Sequence, residues 1–126
     1  FYESVFRDTD APWFRDVFAN ITDADHHIHT QATFWLDAMG GGALYHGADT
    51  RLTFHHLNNA KEVMTAEGAT RWMHHMKIAL KHHKALFDGI DRRIIPSFVD
   101  FLRIKMLKYA DQHNWIFSNS DFENIE

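Results

Sequence analysis

The sequence predicts an all-α fold, and three observations carry that prediction. Apolar residues recur at three- and four-residue spacing along most of the chain. No stretch alternates apolar and polar residues as a half-buried strand does. Only 2 prolines and 6 glycines interrupt 126 residues. With 45% hydrophobic and 24% charged residues, the chain is long enough for one cored domain and short for two, so residues 1–126 are read as a single domain.

Phe1, Tyr2, Val5 and Phe6 have helical spacing, and the cluster Asp8-Thr9-Asp10-Ala11-Pro12 ends that segment. A short helix follows from Trp13 to Phe18. Asp23 or Asp25 caps the next one, in which Ile28, Ala32, Trp35 and Met39 form a stripe expected to be buried, until Gly40-Gly41-Gly42 stops it. Beside that stripe His27, Gln31 and Phe34 build a polar and aromatic face. From Leu44 to Ala60 the pattern is weak, although Leu52 and His56 fall on one side of a helical turn. Thr65 with Glu67 marks the start of a helix through Trp72, Met73, Met76, Ala79 and Leu80, with its end near Asp88-Gly89. Ile95, Phe98, Val99, Leu102, Met106 and Tyr109 give the cleanest amphipathic stripe, with Pro96 tolerated in its first turn. Residues 116–126 read as a polar, frayed tail.

Composition narrows the chemistry. A net charge of -4 argues against general nucleic-acid binding, which needs a surplus of Lys and Arg on one face. The absence of cysteine removes disulfides, thiolate metal sites and cysteine catalysis, so metal chemistry falls to histidine. No apolar run approaches the roughly 18 residues of a membrane span. The chain opens on Phe1 with no initiator Met, so targeting signals cannot be judged from it, and a soluble cytoplasmic location is the default. Most of the 11 histidines, many in adjacent pairs, are expected at the solvated surface.

A planar, largely apolar cofactor needs an aromatic slot, one neutral imidazole for its metal and a few hydrogen-bonding groups opposite. Tyr2, His27, Gln31 and Trp72 are polar groups on otherwise apolar helical faces, and His56 shares a face with Leu52. A zinc site is the weaker reading. His75 with His82, or His26 with His29, can approach along a helix, but there is no His-Glu-x-x-His motif and no carboxylate at ligand spacing. Nucleophilic triads, phosphate-cradling glycine loops and dinucleotide fingerprints are not found.

Phe1-Tyr2-Glu3, Val17-Phe18-Ala19-Asn20, His27, Phe34-Trp35, Met39-Gly40-Gly41, Leu44-Tyr45, His56-Leu57 and Trp72 occur in the order seen in truncated haemoglobins. The chain resembles that family over nearly its whole length, from the family's second helix onward, with the first helix missing or trimmed. The resemblance implies a globin-like two-over-two helical sandwich holding haem b and its iron. It implies that Tyr2 is the distal tyrosine, that Phe18 wedges against the porphyrin, and that Gln31 and Phe34 occupy distal positions one turn apart. Trp72 resembles the indole that marks the second and third groups. Trp35, Tyr45, Leu52, Met76 and Phe98 complete the expected cofactor surroundings. Met39-Gly40-Gly41 and Gln31 resemble the second group, whereas His27 and Phe34-Trp35 resemble the third.

The iron ligand is sought in the pair His55 and His56. The second group usually carries Arg-His-x-Pro-Phe there. This chain has Phe54-His55-His56-Leu57-Asn58-Asn59, and its stretch to Trp72 is a few residues longer. His56 is favoured because Leu52 lies one turn before it and Leu57 follows it, which leaves His55 at the family's arginine position, near a haem propionate. His27 as a sixth iron ligand stays open. Donors at Tyr2, Trp72, His27 and Gln31 suit retention or sensing of O2, NO or CO, or NO dioxygenase-like or peroxidase-like redox chemistry served by a reductase, more than bulk oxygen transport. No nucleic-acid or membrane partner is expected. The competing class is a helical interaction module without haem.

Overall fold

The computed structural model describes residues 1–21, 23–41, 55–56, 60–123 and 125. Among them the chain is helical, without a strand: α1 (Tyr2–Phe6), α2 (Pro12–Ala19), α3 (Ala24–Ala38), a 3₁₀ turn at Lys61–Val63, α4 (Ala66–Ile90), α5 (Ile94–His113) and a second 3₁₀ turn at Asn119–Phe122. His55 and His56 also have helical backbone. No helix among the described residues is long and apolar enough to cross a membrane.

The helix ends follow local chemistry. Pro12 opens α2 at a position where its missing N–H is not needed. Asp23, not Asp25, caps α3 by accepting from the His26 amide at 3.0 Å, and Asp25 sits in the first turn. At the other end the Gly41 amide reaches the Leu36 carbonyl and the Gly40 amide the Asp37 carbonyl. This pair of bonds requires the left-handed φ of +85° that Gly40 adopts. Thr65 caps α4 by accepting from the Gly68 amide at 3.0 Å. That helix runs to Ile90, just past the expected Asp88-Gly89. Pro96 lies in the first turn of α5, and Asn114 ends that helix at φ 57°.

Helices α4 and α5, joined by only three residues, form a helical hairpin and the main core. Met73, Met76 and Leu80 of α4 pack with Ile95, Val99, Leu102 and Met106 of α5, as their spacing predicts. A second cluster of Val5, Ala11, Phe14, Ala60 and Val63 lies under α1 and α2. Phe1 and Trp72 pack against both clusters. Helix α1 sits on α4, and α3 sends Trp35 to Trp72 of α4 at 6.2 Å and to Phe98 and Phe101 of α5 at 6.2 and 5.6 Å. Two helices thus lie on two.

Two expectations require correction. The α3 stripe is not buried in the core: Ile28 and Met39 are 39% and 47% exposed, and the buried positions are Thr33 and Phe34. Ile28 and Ala32 border a cavity instead, and Trp35 both borders it and packs against the α4–α5 core. Residues 116–126 do not fray throughout, because Phe122 and Ile125 are buried in the α4–α5 core and Asp121 accepts from the Thr70 hydroxyl at 3.0 Å. Two apolar side chains suffice to dock an otherwise polar segment.

Candidate functional site

Helices α1 to α5 line a half-open cavity of about 1640 Å3. That is larger than the roughly 300–1,000 Å3 of an ordinary small-molecule pocket. Its walls bring together Tyr2, Phe18, His27, Gln31, Phe34, Trp35, His55, His56, Trp72 and Met76, residues drawn from five separate stretches of sequence. Phe98 is not on the wall. It lies one turn before Leu102 on the α5 face that carries Lys105, Met106 and Tyr109 to the cavity, and packs on Trp35 at 6.2 Å and Phe101 at 6.4 Å. Tyr45, Leu52 and Leu57 lie outside the described residues.

One end of the cavity is rich in donors. The Tyr2 ring meets the His27 ring edge-on at 5.4 Å and 89°, and packs on Phe18 at 6.1 Å. Burial pushes the Tyr2 phenol above its ordinary range, so its hydroxyl stays protonated and able to donate. Phe1 packs on both Tyr2, at 5.1 Å, and Trp72, at 5.2 Å. His27 is held below its ordinary pKa by burial first, then by His55 and His26. It is therefore neutral near pH 7, with one nitrogen to donate and one to accept.

The His56 ring lies against Tyr109 at 4.8 Å and 82°, with His113 at 6.2 Å. Its Nδ1 is buried and has no hydrogen-bond partner among the described residues. Burial, then the charges of His55 and His113, push its pKa down to about 4. At neutral pH this ring is an unprotonated imidazole at the cavity wall, the state in which histidine binds a metal. Burial lowers the His55 pKa as well.

Sequence reasoning missed a polar cluster on the same cavity. Asp8 is buried and takes both arms of Arg71, Nε at 2.7 Å and Nη2 at 2.6 Å, together with His75 Nε2 at 2.8 Å. The backbone amides of Asp10 and Ala11 also donate to Asp8, at 3.0 and 3.1 Å. The other nitrogen of His75, Nδ1, lies 2.6 Å from the Ser4 hydroxyl. The Arg71 guanidinium holds the Asp8 carboxyl well below the usual carboxylate range. Serine, histidine and aspartate are thus aligned although no triad motif is present, since the three come from positions 4, 75 and 8. His75 is also an exception to the expected surface placement of histidine pairs, with 2% of its surface exposed. The available signal was its position three residues after Trp72 and beside Met76, on the inward side of α4.

Comparison with known proteins adds sequence kinship to this geometry. Residues 1–108 match the bacterial-like globin family. Over 98 residues, 78% of this chain, the sequence is 36% identical to the group 2 truncated hemoglobin 3-1 of Lotus japonicus. The match covers 56% of that protein, so the chain spans little more than half the length of this relative. The group 2 name agrees with the resemblance carried by Gln31 and Met39-Gly40-Gly41, and the third-group resemblance has no counterpart in it. No solved structure matches the chain.

Proposed function

The chain belongs to the bacterial-like globin family, whose cofactor is haem b, and from that premise we propose that it retains a small diatomic ligand at a haem held by His56, between donors on α1 and α4. The described residues fit the group. The cavity is large, its walls carry Phe18, Phe34, Trp35 and Met76, and the neutral, half-buried His56 imidazole offers the nitrogen that an iron porphyrin needs. That imidazole is the observation that carries the reading. Bound haem supplies the iron at which O2, NO or CO is held.

The protein's contribution is to orient and to donate. His56 is braced by Tyr109 and His113, which limit rotation of its ring. On the walls of the same cavity the Tyr2 hydroxyl and the Trp72 indole N–H can donate to a polar ligand, and His27 and Gln31 add further hydrogen-bonding capacity. Hydrogen bonds to a group carrying charge contribute roughly 1.5–3 kcal/mol each, so two of them slow ligand release by about 100-fold to 10⁴-fold. Such a pocket favours retention, sensing, or redox chemistry on NO or peroxide over bulk transport. The redox chemistry needs a reductase as partner.

The test is spectroscopic. Protein purified with supplied hemin is expected to show a Soret band, and His56→Ala to lose the signature of an axial histidine while His55→Ala keeps it. Loss in His55→Ala alone transfers the ligand role to His55. No Soret band in the unsubstituted protein refutes the haem reading and leaves a helical interaction module.

A further inference from the structure

We propose that Ser4, His75 and Asp8 are positioning residues that hold the Tyr2 hydroxyl in register with the Trp72 indole, a role that rests on reading the cavity as a haem pocket with these two donors.

Helix α1 has five residues and no side-chain cap. A helix that short has no stability of its own in water, so the place of Tyr2 is set by whatever ties α1 to its surroundings. The polar ties run to one stretch of α4. Ser4 meets His75, while Asp8, just past the end of α1, meets both Arg71 and His75. Trp72 lies within that stretch, next to Arg71 and three residues before His75. Phe1 completes the junction, 5.1 Å from Tyr2, 5.2 Å from Trp72 and 6.2 Å from His75.

The proton positions in the cluster follow from its chemistry. Asp8 is ionised and can only accept, so His75 Nε2 must carry a hydrogen toward it. Burial outweighs Asp8 in keeping His75 neutral, and its Nδ1 is then a bare acceptor. The Ser4 hydroxyl therefore donates to Nδ1. His75 is further fixed by stacking on Phe14 at 5.9 Å and 17°. Each donor has one acceptor and each ring one orientation, so the cluster has a single arrangement, and α1 inherits it. Breaking the Ser4 bond leaves Asp8 as the remaining polar tie and frees the N-terminal part of α1, where Tyr2 sits.

The test compares the unsubstituted chain with Ser4→Ala, which loses the donor, Ser4→Thr, which keeps it, and Tyr2→Phe. In the haem-loaded protein, Ser4→Ala is expected to split or shift the CO stretching band and to speed O2 release by about threefold to tenfold, part of the effect of one charge-assisted bond. Ser4→Thr is expected to restore both. In the haem-free protein, exchange of the Val5 and Arg7 amides, which bond to Phe1 and Glu3, is expected to rise by about tenfold in Ser4→Ala, the equivalent of one net hydrogen bond. An unchanged CO band in Ser4→Ala beside a shifted band in Tyr2→Phe overturns the positioning role and leaves the pocket reading intact. No shift in Tyr2→Phe refutes the donor pocket itself, and amide exchange then still decides whether Ser4 holds α1. Ester hydrolysis that disappears in Ser4→Ala also overturns the proposal, because the three residues would then act as a nucleophilic triad.

Discussion

Asp8→Asn is the substitution whose consequence the structure defines most closely. The Asp8 side chain is 2% exposed and accepts from Arg71 twice, from His75 and from two backbone amides. Asparagine can keep the two amides and Arg71 Nη2 on its Oδ1, but its NH₂ group then faces the donors Arg71 Nε and His75 Nε2. His75 can adapt by exchanging tautomers, accepting at Nε2 and donating at Nδ1 to Ser4. Arg71 cannot, because guanidinium has no acceptor and does not lose its proton. Breaking a buried pair by neutralising one partner costs about 3–5 kcal/mol, and the 22% exposure of the Arg71 side chain, which lets water reach it, places the expected loss near about 3 kcal/mol. Urea unfolding of the haem-free chain, followed by far-ultraviolet circular dichroism and tryptophan fluorescence, measures it. In the double variant with Arg71→Met, the loss is expected to be smaller than the sum of the two single losses by about 2 kcal/mol, since no charge is left unpaired. There is a pH signature as well. The folded pKa of Asp8 lies below its ordinary 3.8, so its contribution is complete above that value and disappears as pH falls below it. Asp8→Asn must lack that acid-side decline. A loss under about 1 kcal/mol, or additive single losses, refutes the reasoning.

Three further outcomes are expected. Gly68→Ala should destabilise the chain by about 1–3 kcal/mol or more in the same urea assay, since an added Cβ would stand 1.7 Å from the Val63 carbonyl oxygen, which is backbone and cannot swing away. Phe122→Ala should cost about 3–5 kcal/mol and raise amide exchange across the last residues, whereas a frayed tail would show neither effect. The haem-free chain should lose stability as pH falls from about 6.5 toward 4. His56, whose folded pKa is pushed down to about 4 from 6.5, stays neutral in the fold while the unfolded chain takes up a proton, and His27, His55, His75 and His113 shift in the same direction. A urea midpoint that stays flat or rises over that interval would contradict the burial of these rings.

What the sequence discloses here is what repeats locally. The α4 and α5 stripes follow helical spacing and meet as expected, and Thr65 caps α4 within the span of four residues. Periodicity tells which residues share a face, but not what that face meets. Ile28, Ala32 and Trp35 share a face as their spacing predicts, but only Trp35 packs on the core, while Ile28 and Ala32 border the cavity, whose wall is apolar for the same reason a core is. Phe122 and Ile125 gave no periodic signal, being isolated apolar residues in a polar segment. The Asp8 cluster joins positions 63 and 67 residues apart, and Asp8 read alone is only a helix terminator.

The histidine pairs show a further limit, and one with an experimental use. Neighbouring residues on a helix point about 100° apart, so adjacency in sequence separates side chains instead of joining them. His74 is exposed while His75 is 2% exposed, and treating the two as one surface pair concealed the buried member. The same rotation separates His55 from His56, whose rings are 5.9 Å apart and inclined at 51°. His56 turns toward Tyr109 and His113, whereas His55 is near enough to His27 to lower its pKa. Two rings so directed cannot offer a nitrogen to the same point from the same backbone. One single substitution should therefore abolish axial ligation and the other leave it intact, and equal partial losses in His55→Ala and His56→Ala would require a backbone at these two residues other than the helical one.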